Sequence, residues 1–424
     1  MEHDPVSHMP EASAAPALRG SAFSGLLLVV LFALLLRAGW VLYSWSISGA
    51  QLPYDDERLH WQLATNLHDR GAFVSDDGRF APRMPAYPGL LWLFAGLGDS
   101  GVLAARLAQA AIGAIGVWLA GAWTRRAFGA RAGLLAAVLC AVDPFQVFAA
   151  NLLLNEVLFS AIALGLAFSA WRVLRRSGFD ALGFLLTSAL GGLAIYTRPE
   201  ALGWVLLLWL LMAGYQRDTP HAARLLALHA VALLVMLGPW AMRNLTVFGT
   251  PLWLSANGGV TLYDGLGPQA DGSSDQSFLY TMPELARLDE VQRDRYLAQA
   301  AAQQAYADPG RAAALALHKF MRMWNPTPNV EAHQRGFSAW ASRIFTIGTL
   351  GLALLGLLRH LGQRAWTSVV VLPIVYFTLI GCIFIGSVRY RVPLMPFLCV
   401  AGAALVQRAA TGAVAQPASG KPGT

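Results

Sequence analysis

The sequence predicts an all-α polytopic membrane protein: a bundle of about ten transmembrane helices with two long extracytoplasmic loops that contain juxtamembrane helices. Three observations carry this expectation. Of the 424 residues, 56% are hydrophobic and only 13% are charged, where a soluble domain carries about 25% charged residues. The mean hydropathy is +0.49, and the apolar residues gather in runs close to the roughly 20 needed to cross a bilayer core. Arginines recur at the ends of alternate runs, as expected of short cytoplasmic loops. This composition excludes a soluble enzyme and a disordered scaffold, since disorder needs low hydrophobicity and high charge. Despite a net charge of +7 and a pI of 9.6, it argues against nucleic acid as a partner and for membrane lipid.

Taken in order, residues 1–22 read as a polar cytoplasmic tail holding acids as well as bases, unlike the basic start of a secretory signal. The first apolar run is therefore expected to be retained. Apolar runs lie at 23–45, 101–122, 132–150, 155–172, 181–197, 200–215, 222–240, 340–358, 366–386 and 391–407. With the N-terminus inside, the inner turns carry Arg125, Arg126 and Arg131, then Arg172, Arg175 and Arg176, then Arg217 and Arg224, then Arg359 and Arg364, and finally Arg408. Every inner turn obeys the positive-inside rule. Both termini are then cytoplasmic, residues 409–424 form a disordered tail, and segments 46–100 and 243–339 fall on the outer face. Cys140, Cys382 and Cys399 lie in apolar runs without paired spacing, which suggests neither a disulfide framework nor a zinc site.

The first outer segment opens on Tyr54-Asp55-Asp56-Glu57, continues as an amphipathic helix through Asn66, and reaches a loop from Phe80 to Pro88 whose prolines forbid a continuous helix. The second has Gly- and Asn-rich turns from Asn257 to Gly272. A helical stretch then runs from Asp289 to Tyr306, Asp308-Pro309-Gly310 breaks it, and a further helix extends from Arg311 to Trp324.

Several arginines disobey the sidedness rule. Arg83, Arg198, Arg243, Arg389 and Arg391 map to outer ends of spans, while Arg37 and Arg106 sit inside apolar helices. Each intramembrane charge costs about 2.5–3.5 kcal/mol on insertion scales. Taken singly, such an arginine pairs with a carboxylate or snorkels to headgroups. Taken together, they suit an anionic lipid-linked phosphate, which guanidinium groups bind in bidentate fashion.

The acids complement them. Most of the 24 Asp and Glu residues occupy the two outer segments, and within the apolar core Asp143 and Glu156 stand out. Asp56 has two readings: a helix N-cap, for which Asp is favoured, or a general base facing an acceptor hydroxyl while arginines stabilise a departing phosphate. Asp55 and Glu57 are close enough to share either role.

At this point the layout resembles the GT-C glycosyltransferases, and within them the bacterial relatives of protein O-mannosyltransferases and of the aminoarabinose transferase that modifies lipid A. The stretch from Asp56 to Leu67 is similar to the acidic motif and juxtamembrane helix of that family, with His60 where the family often has Tyr. Arg83-Met84-Pro85-Ala86-Tyr87-Pro88-Gly89 resembles its basic-Pro loop, and Asn155-Glu156-Val157-Leu158-Phe159 its second acidic position. Thr197-Arg198-Pro199-Glu200, Pro239 to Asn244, Lys319 to Trp324 and Arg389 to Pro396 are similar to further motifs in the same order.

The resemblance implies a catalytic unit over 23–408 and an inverting single displacement from a polyprenyl-phosphate-linked sugar. It implies Asp56 as general base, Arg83 on the lipid phosphate with help from Arg243, Arg389 or Arg391, and Glu156 orienting the acceptor or joining Asp56 around a divalent cation. Asp55, Glu57 and Arg198 are supporting candidates. No His/Asp cluster has metal-ligand spacing, so no tightly bound metal is expected. The acceptor is a lipid, glycan or protein hydroxyl. The implied location is a bacterial inner membrane, with the site facing the periplasm or exterior. A transporter or flippase of a lipid-linked glycan would more often show internal repeats and polar breaks near the midplane. An O-antigen ligase-like enzyme would use a diphosphate-linked donor, and the acidic first loop favours the transferase.

Overall fold

The computed structural model describes residues 17–176, 180–215, 219–329 and 336–407; residues 1–16 of the expected N-terminal tail and all of the expected 409–424 tail, with Arg217 and Arg408, lie outside them, and residues 17–22 of the first tail are helical. Among the described residues seven helices are long and apolar enough to cross a membrane, and four shorter apolar helices accompany them. The chain is a multi-pass helical membrane protein.

Helix α1 (Ala17–Ser48) leads into α2 (Asp55–Arg70) and α3 (Ala86–Ala95), followed by α4 (Asp99–Phe128), α5 (Ala130–Val142), α6 (Pro144–Ala149) and α7 (Glu156–Leu174). Next come α8 (Ala181–Thr197), α9 (Ala201–Gly214) and α10 (Thr219–Phe248). The outer segment then supplies α11 (Gly258–Leu266), α12 (Phe278–Thr281), α13 (Glu290–Ala307) and α14 (Pro309–Met323). Finally α15 (Phe337–Arg359), α16 (Arg364–Ile383), α17 (Val388–Arg391) and α18 (Met395–Ala403) return to the bundle, the last two joined by a 3₁₀ turn at Val392–Leu394. The main core lies where α4, α5, α7 and α18 pack together, around Trp123, Phe168 and Phe397.

All ten apolar runs are helical, with two interruptions. The run at 132–150 breaks at Asp143, because Pro144 cannot donate to the preceding turn. The Asp143 carboxylate accepts the N–H groups of Phe145 and Gln146 and starts α6 afresh. The final run is broken around Pro393 and Pro396 into α17, the 3₁₀ turn and α18.

Two expectations for the outer segments need correction. The proline loop ends early: α3 starts at Ala86 and carries Pro88 in its first turn, where a missing N–H has no intrahelical partner to lose. The Gly/Asn-rich turns contain α11, whose glycines are required by packing. A Cβ on Gly259 would lie 1.8 Å from the Asp294 carbonyl oxygen, and one on Gly265 would lie 1.8 Å from that of Phe384. The helices expected at 289–306 and 311–324 are present as α13 and α14, capped by the side chains of Asp289 and Asp308.

Arg37 and Arg106 are satisfied by backbone carbonyls, rather than by the carboxylates or headgroups expected of a single buried arginine. Arg37 is 1% exposed and donates to the carbonyls of Ala33, Cys140 and Ala141, the latter two among the unpaired acceptors at the end of α5. Arg106 donates to the carbonyls of Gly49 and Gln51 and fixes the exit of α1.

Candidate functional site

A cavity of about 440 Å³ opens among α2, the 82–84 loop, the α8–α9 turn, α11, α16 and α17. Its charged end is lined by Asp56, Arg83, Arg198, Glu200 and Arg389. Leu202, Phe377, Ile380 and Phe384 of the α9/α16 side give it an apolar arm.

Asp56 sits in the first turn of α2, where an acid is favoured by the helix dipole. Arg83 Nη2 donates to its Oδ1 and Arg389 Nη1 to its Oδ2. Arg389 also donates through Nε to Oε1 of Glu156. One guanidinium therefore joins carboxylates that are far apart in sequence, and Glu156 is 2% exposed. Beside this chain, Arg198 donates to Glu200 at 2.7 Å and lies over the rings of Phe159 and Tyr390. Burial acts to raise the Asp56 pKa, but Arg389 and Arg83 outweigh it and hold the carboxyl well below its usual range. His60, one turn further along α2, is neutral: burial, aided by Arg83, lowers its pKa to about 3.

The neighbouring acids of α2 part company. The Asp55 side chain is 96% exposed and pairs with Arg58 at the surface. Glu57 is fully buried, and its carboxylate accepts the N–H groups of Leu153 at 2.9 Å and Tyr54 at 3.3 Å. Burial raises its pKa. Gln109 holds the same loop by donating to the Leu152 carbonyl at 2.6 Å, and Asn155 donates to that of Thr197 at 3.1 Å. Glu57 thus ties the first turn of α2 to the loop that delivers Glu156.

Arg243 and Arg391 do not reach the cavity. Arg243 donates to the carbonyls of Phe73 at 2.6 Å and Phe80 at 2.7 Å, with its guanidinium over Trp240. It clamps the first outer segment onto α10. Arg391 is fully buried, lies over Phe145 and donates to the Asn325 carbonyl at 2.6 Å. The donor set for a divalent ion is thin. Asp56 and Glu156 are already bridged by Arg389, and among the described residues no three His, Cys, Asp or Glu side chains group to hold a metal.

Sequence reasoning missed the neutral part of the lining: Ser255, Asn257, Thr261, Ser274 and Gln276, all from the second outer segment. Isolated polar residues in a polar loop carry no periodic or charge signal, so only the packing of α11 against α13 and α16 gathers them.

The backbone path of this bundle occurs elsewhere. The chain aligns with the oligosaccharyltransferase AglB of Archaeoglobus fulgidus, in complex with an inhibitory peptide and a dolichol-phosphate, at 13% identity and a TM-score of 0.53, covering 91% of this chain and 50% of that one. The apo form of the oligosaccharyltransferase of that organism aligns at 15% identity and a TM-score of 0.54, over 90% and 50% of the two chains. The fold is GT-C. The chain spans about half the length of the archaeal enzymes it matches. ArnT of Cupriavidus metallidurans aligns at 17% identity and a TM-score of 0.42, over 90% of this chain and 78% of that one. A family model described as dolichyl-phosphate-mannose-protein mannosyltransferase matches residues 81–242, a stretch that includes Arg83 and Arg198 of the cavity lining and Glu156. A comparison with curated proteins finds no match.

Proposed function

We propose that the protein is an integral-membrane glycosyltransferase that moves a sugar from a polyprenyl-phosphate donor to an acceptor hydroxyl at the extracytoplasmic face of a bacterial inner membrane, with inversion. The observation that carries this reading is the Arg83–Asp56–Arg389–Glu156 chain at one end of a cavity with an apolar arm. Two guanidinium groups on one carboxylate form a site that a phosphate can enter by exchange.

In this mechanism the donor phosphate takes over the donors of Arg83 and Arg389, and Asp56, freed of them, regains basicity. Asp56 accepts the proton of the acceptor hydroxyl as its oxygen attacks the anomeric carbon from the face opposite the phosphate. The bond from that carbon to the phosphate oxygen breaks, its electron pair stays on the phosphate, and the arginines stabilise the charge that collects there. Glu156 keeps Arg389 in place. The match to a mannosyltransferase family model and the GT-C fold support sugar transfer, and AglB was solved with dolichol-phosphate, a polyprenyl phosphate.

The test is transfer in proteoliposomes charged with polyprenyl-phosphate sugar. Wild-type protein is expected to release polyprenyl phosphate in step with glycosylated acceptor. Transport of intact donor across the bilayer with no release of polyprenyl phosphate refutes the proposal.

A further inference from the structure

The charge inventory of the cavity bears on which sugar enters it. Among the described lining residues the carboxylates are Asp56 and Glu200, and each already faces a guanidinium. The cations are Arg83, Arg198 and Arg389, which are paired with those carboxylates and with Glu156. The remaining polar lining is uncharged: His60, Asn155, Thr197, Tyr376 and Tyr390 on the bundle side, and on the opposite wall the hydroxyl and amide side chains of Ser255, Asn257, Thr261, Ser274 and Gln276.

That neutral wall is built on a buried acid that stays behind it. Asp264 is 5% exposed and does not line the cavity. Its Oδ1 accepts the Asp275 N–H at 2.8 Å, and its Oδ2 accepts from the Ser274 hydroxyl at 2.6 Å and the Gln276 amide at 3.5 Å. With both oxygens engaged, Asp264 serves as the anchor of the 274–276 turn. Asn257 is braced likewise, donating to the Thr261 hydroxyl at 3.1 Å. Among the described residues no donor is bonded to the Asn257 Oδ1 or the Gln276 Oε1, so each amide keeps an acceptor for a ligand hydroxyl.

We propose that the donor carries a neutral sugar, and that Asn257 and Gln276 are its specificity-determining residues. This rests on the glycosyltransferase reading and narrows its substrate class. On the wall from Ser255 to Gln276 an ammonium-bearing sugar would find no lining carboxylate and a uronate no guanidinium, while Arg83 and Arg389 are taken by the phosphate and Asp56, once displaced, by the acceptor hydroxyl. A buried charge without a partner is costly, whereas sugar hydroxyls match amide and hydroxyl groups directly. A site built to hydrogen-bond hydroxyls discriminates strongly against ligands that leave its groups unpaired.

The experiment measures binding of four lipids to the full chain in nanodiscs: bare polyprenyl phosphate and the same lipid bearing a neutral hexose, a 4-amino-pentose or a hexuronate. The neutral donor is expected to bind at least about 10-fold more tightly than the bare lipid, the worth of one good hydrogen-bonding contact, and the charged donors no more tightly than it. Asn257→Ala and Gln276→Ala are expected to bring the neutral donor to the level of the bare lipid and leave bare-lipid affinity unchanged. Asn257→Asp, nearly isosteric and able to accept from the Thr261 hydroxyl that Asn257 now donates to, is expected to shift preference toward the amino sugar. Preference of the wild-type protein for either charged donor overturns the inference while leaving sugar transfer intact, as does a neutral-donor advantage that survives both alanine variants. Failure of all four lipids to bind removes the glycosyltransferase reading and this inference with it.

Discussion

Replacing Asp56 by Asn separates chemistry from binding, and the two should move in opposite directions. In the resting site each oxygen of Asp56 accepts from one guanidinium, and the three side chains are between 21% and 30% exposed. An entering phosphate must displace that carboxylate from both arginines. Fully exposed ion pairs contribute about 0–1 kcal/mol, while buried ones contribute more once their desolvation is met. For two pairs at this intermediate burial, relief of about 1–2 kcal/mol is reasonable, which corresponds to donor binding tighter by about 5- to 30-fold. The same substitution removes the base, which contributes about 10²–10⁴ in rate. The assay pairs equilibrium binding of the lipid donor with single-turnover transfer in proteoliposomes. Donor binding weaker than wild type would refute the exchange of phosphate for carboxylate, and turnover within a few-fold of wild type would refute Asp56 as the base.

Three further substitutions probe the arrangement. Arg83→Ala should weaken donor binding by about 10- to 100-fold, the worth of a charge-assisted contact. Because Asp56 in the donor-free site is ionised above a depressed pKa, kcat/KM for the proposed transfer should fall only as pH drops through that value, and the stability gained from its pairing is lost over the same descent. Removing Arg83 raises that pKa, so the acid limb of kcat/KM should move to higher pH; an unmoved limb argues against the coupling. Glu57→Ala leaves the buried N–H of Leu153 and the part-buried N–H of Tyr54 without their acceptor. It should cost about 1–3 kcal/mol, read as a lower Tm, with Glu57→Gln recovering most of it. Gly265→Ala would place a Cβ 1.8 Å from the Phe384 carbonyl oxygen. It should destabilise by about 1–3 kcal/mol or more and raise KM, since Phe384 lines the cavity.

Much of this fold was legible because bilayer thickness imposes one length on every span, so each apolar run could be counted without knowing its neighbours. The breaks at Asp143-Pro144 and around Pro393 were visible as residues but are outweighed by the hydropathy around them. Arg83, Arg389, Asp56 and Glu156 stood out because a charge near lipid is rare enough to demand a partner, and the structure brings these four together. The same rule misled for Arg243 and Arg391. A guanidinium can be satisfied by backbone carbonyls, such as those of Phe73, Phe80 and Asn325, and a carbonyl leaves no mark in the sequence. The neutral wall was illegible for a different reason: its members meet only because glycines at 259 and 265 let three helices approach within backbone contact.

The pairing of Arg83, Arg198 and Arg389 with Asp56, Glu156 and Glu200 has a kinetic consequence. With three positive and three negative groups in contact, the resting site projects little field beyond its mouth, so it cannot draw a charged ligand from a distance. A lipid-anchored donor has no need of such a pull, since it already diffuses within the plane that contains the cavity. Its rate of capture should therefore change little with ionic strength, unlike that of a water-soluble phosphate ligand guided by bare cations. Under the proposed function, the closely matched charges would make the membrane, rather than electrostatic attraction, the means by which the donor is delivered.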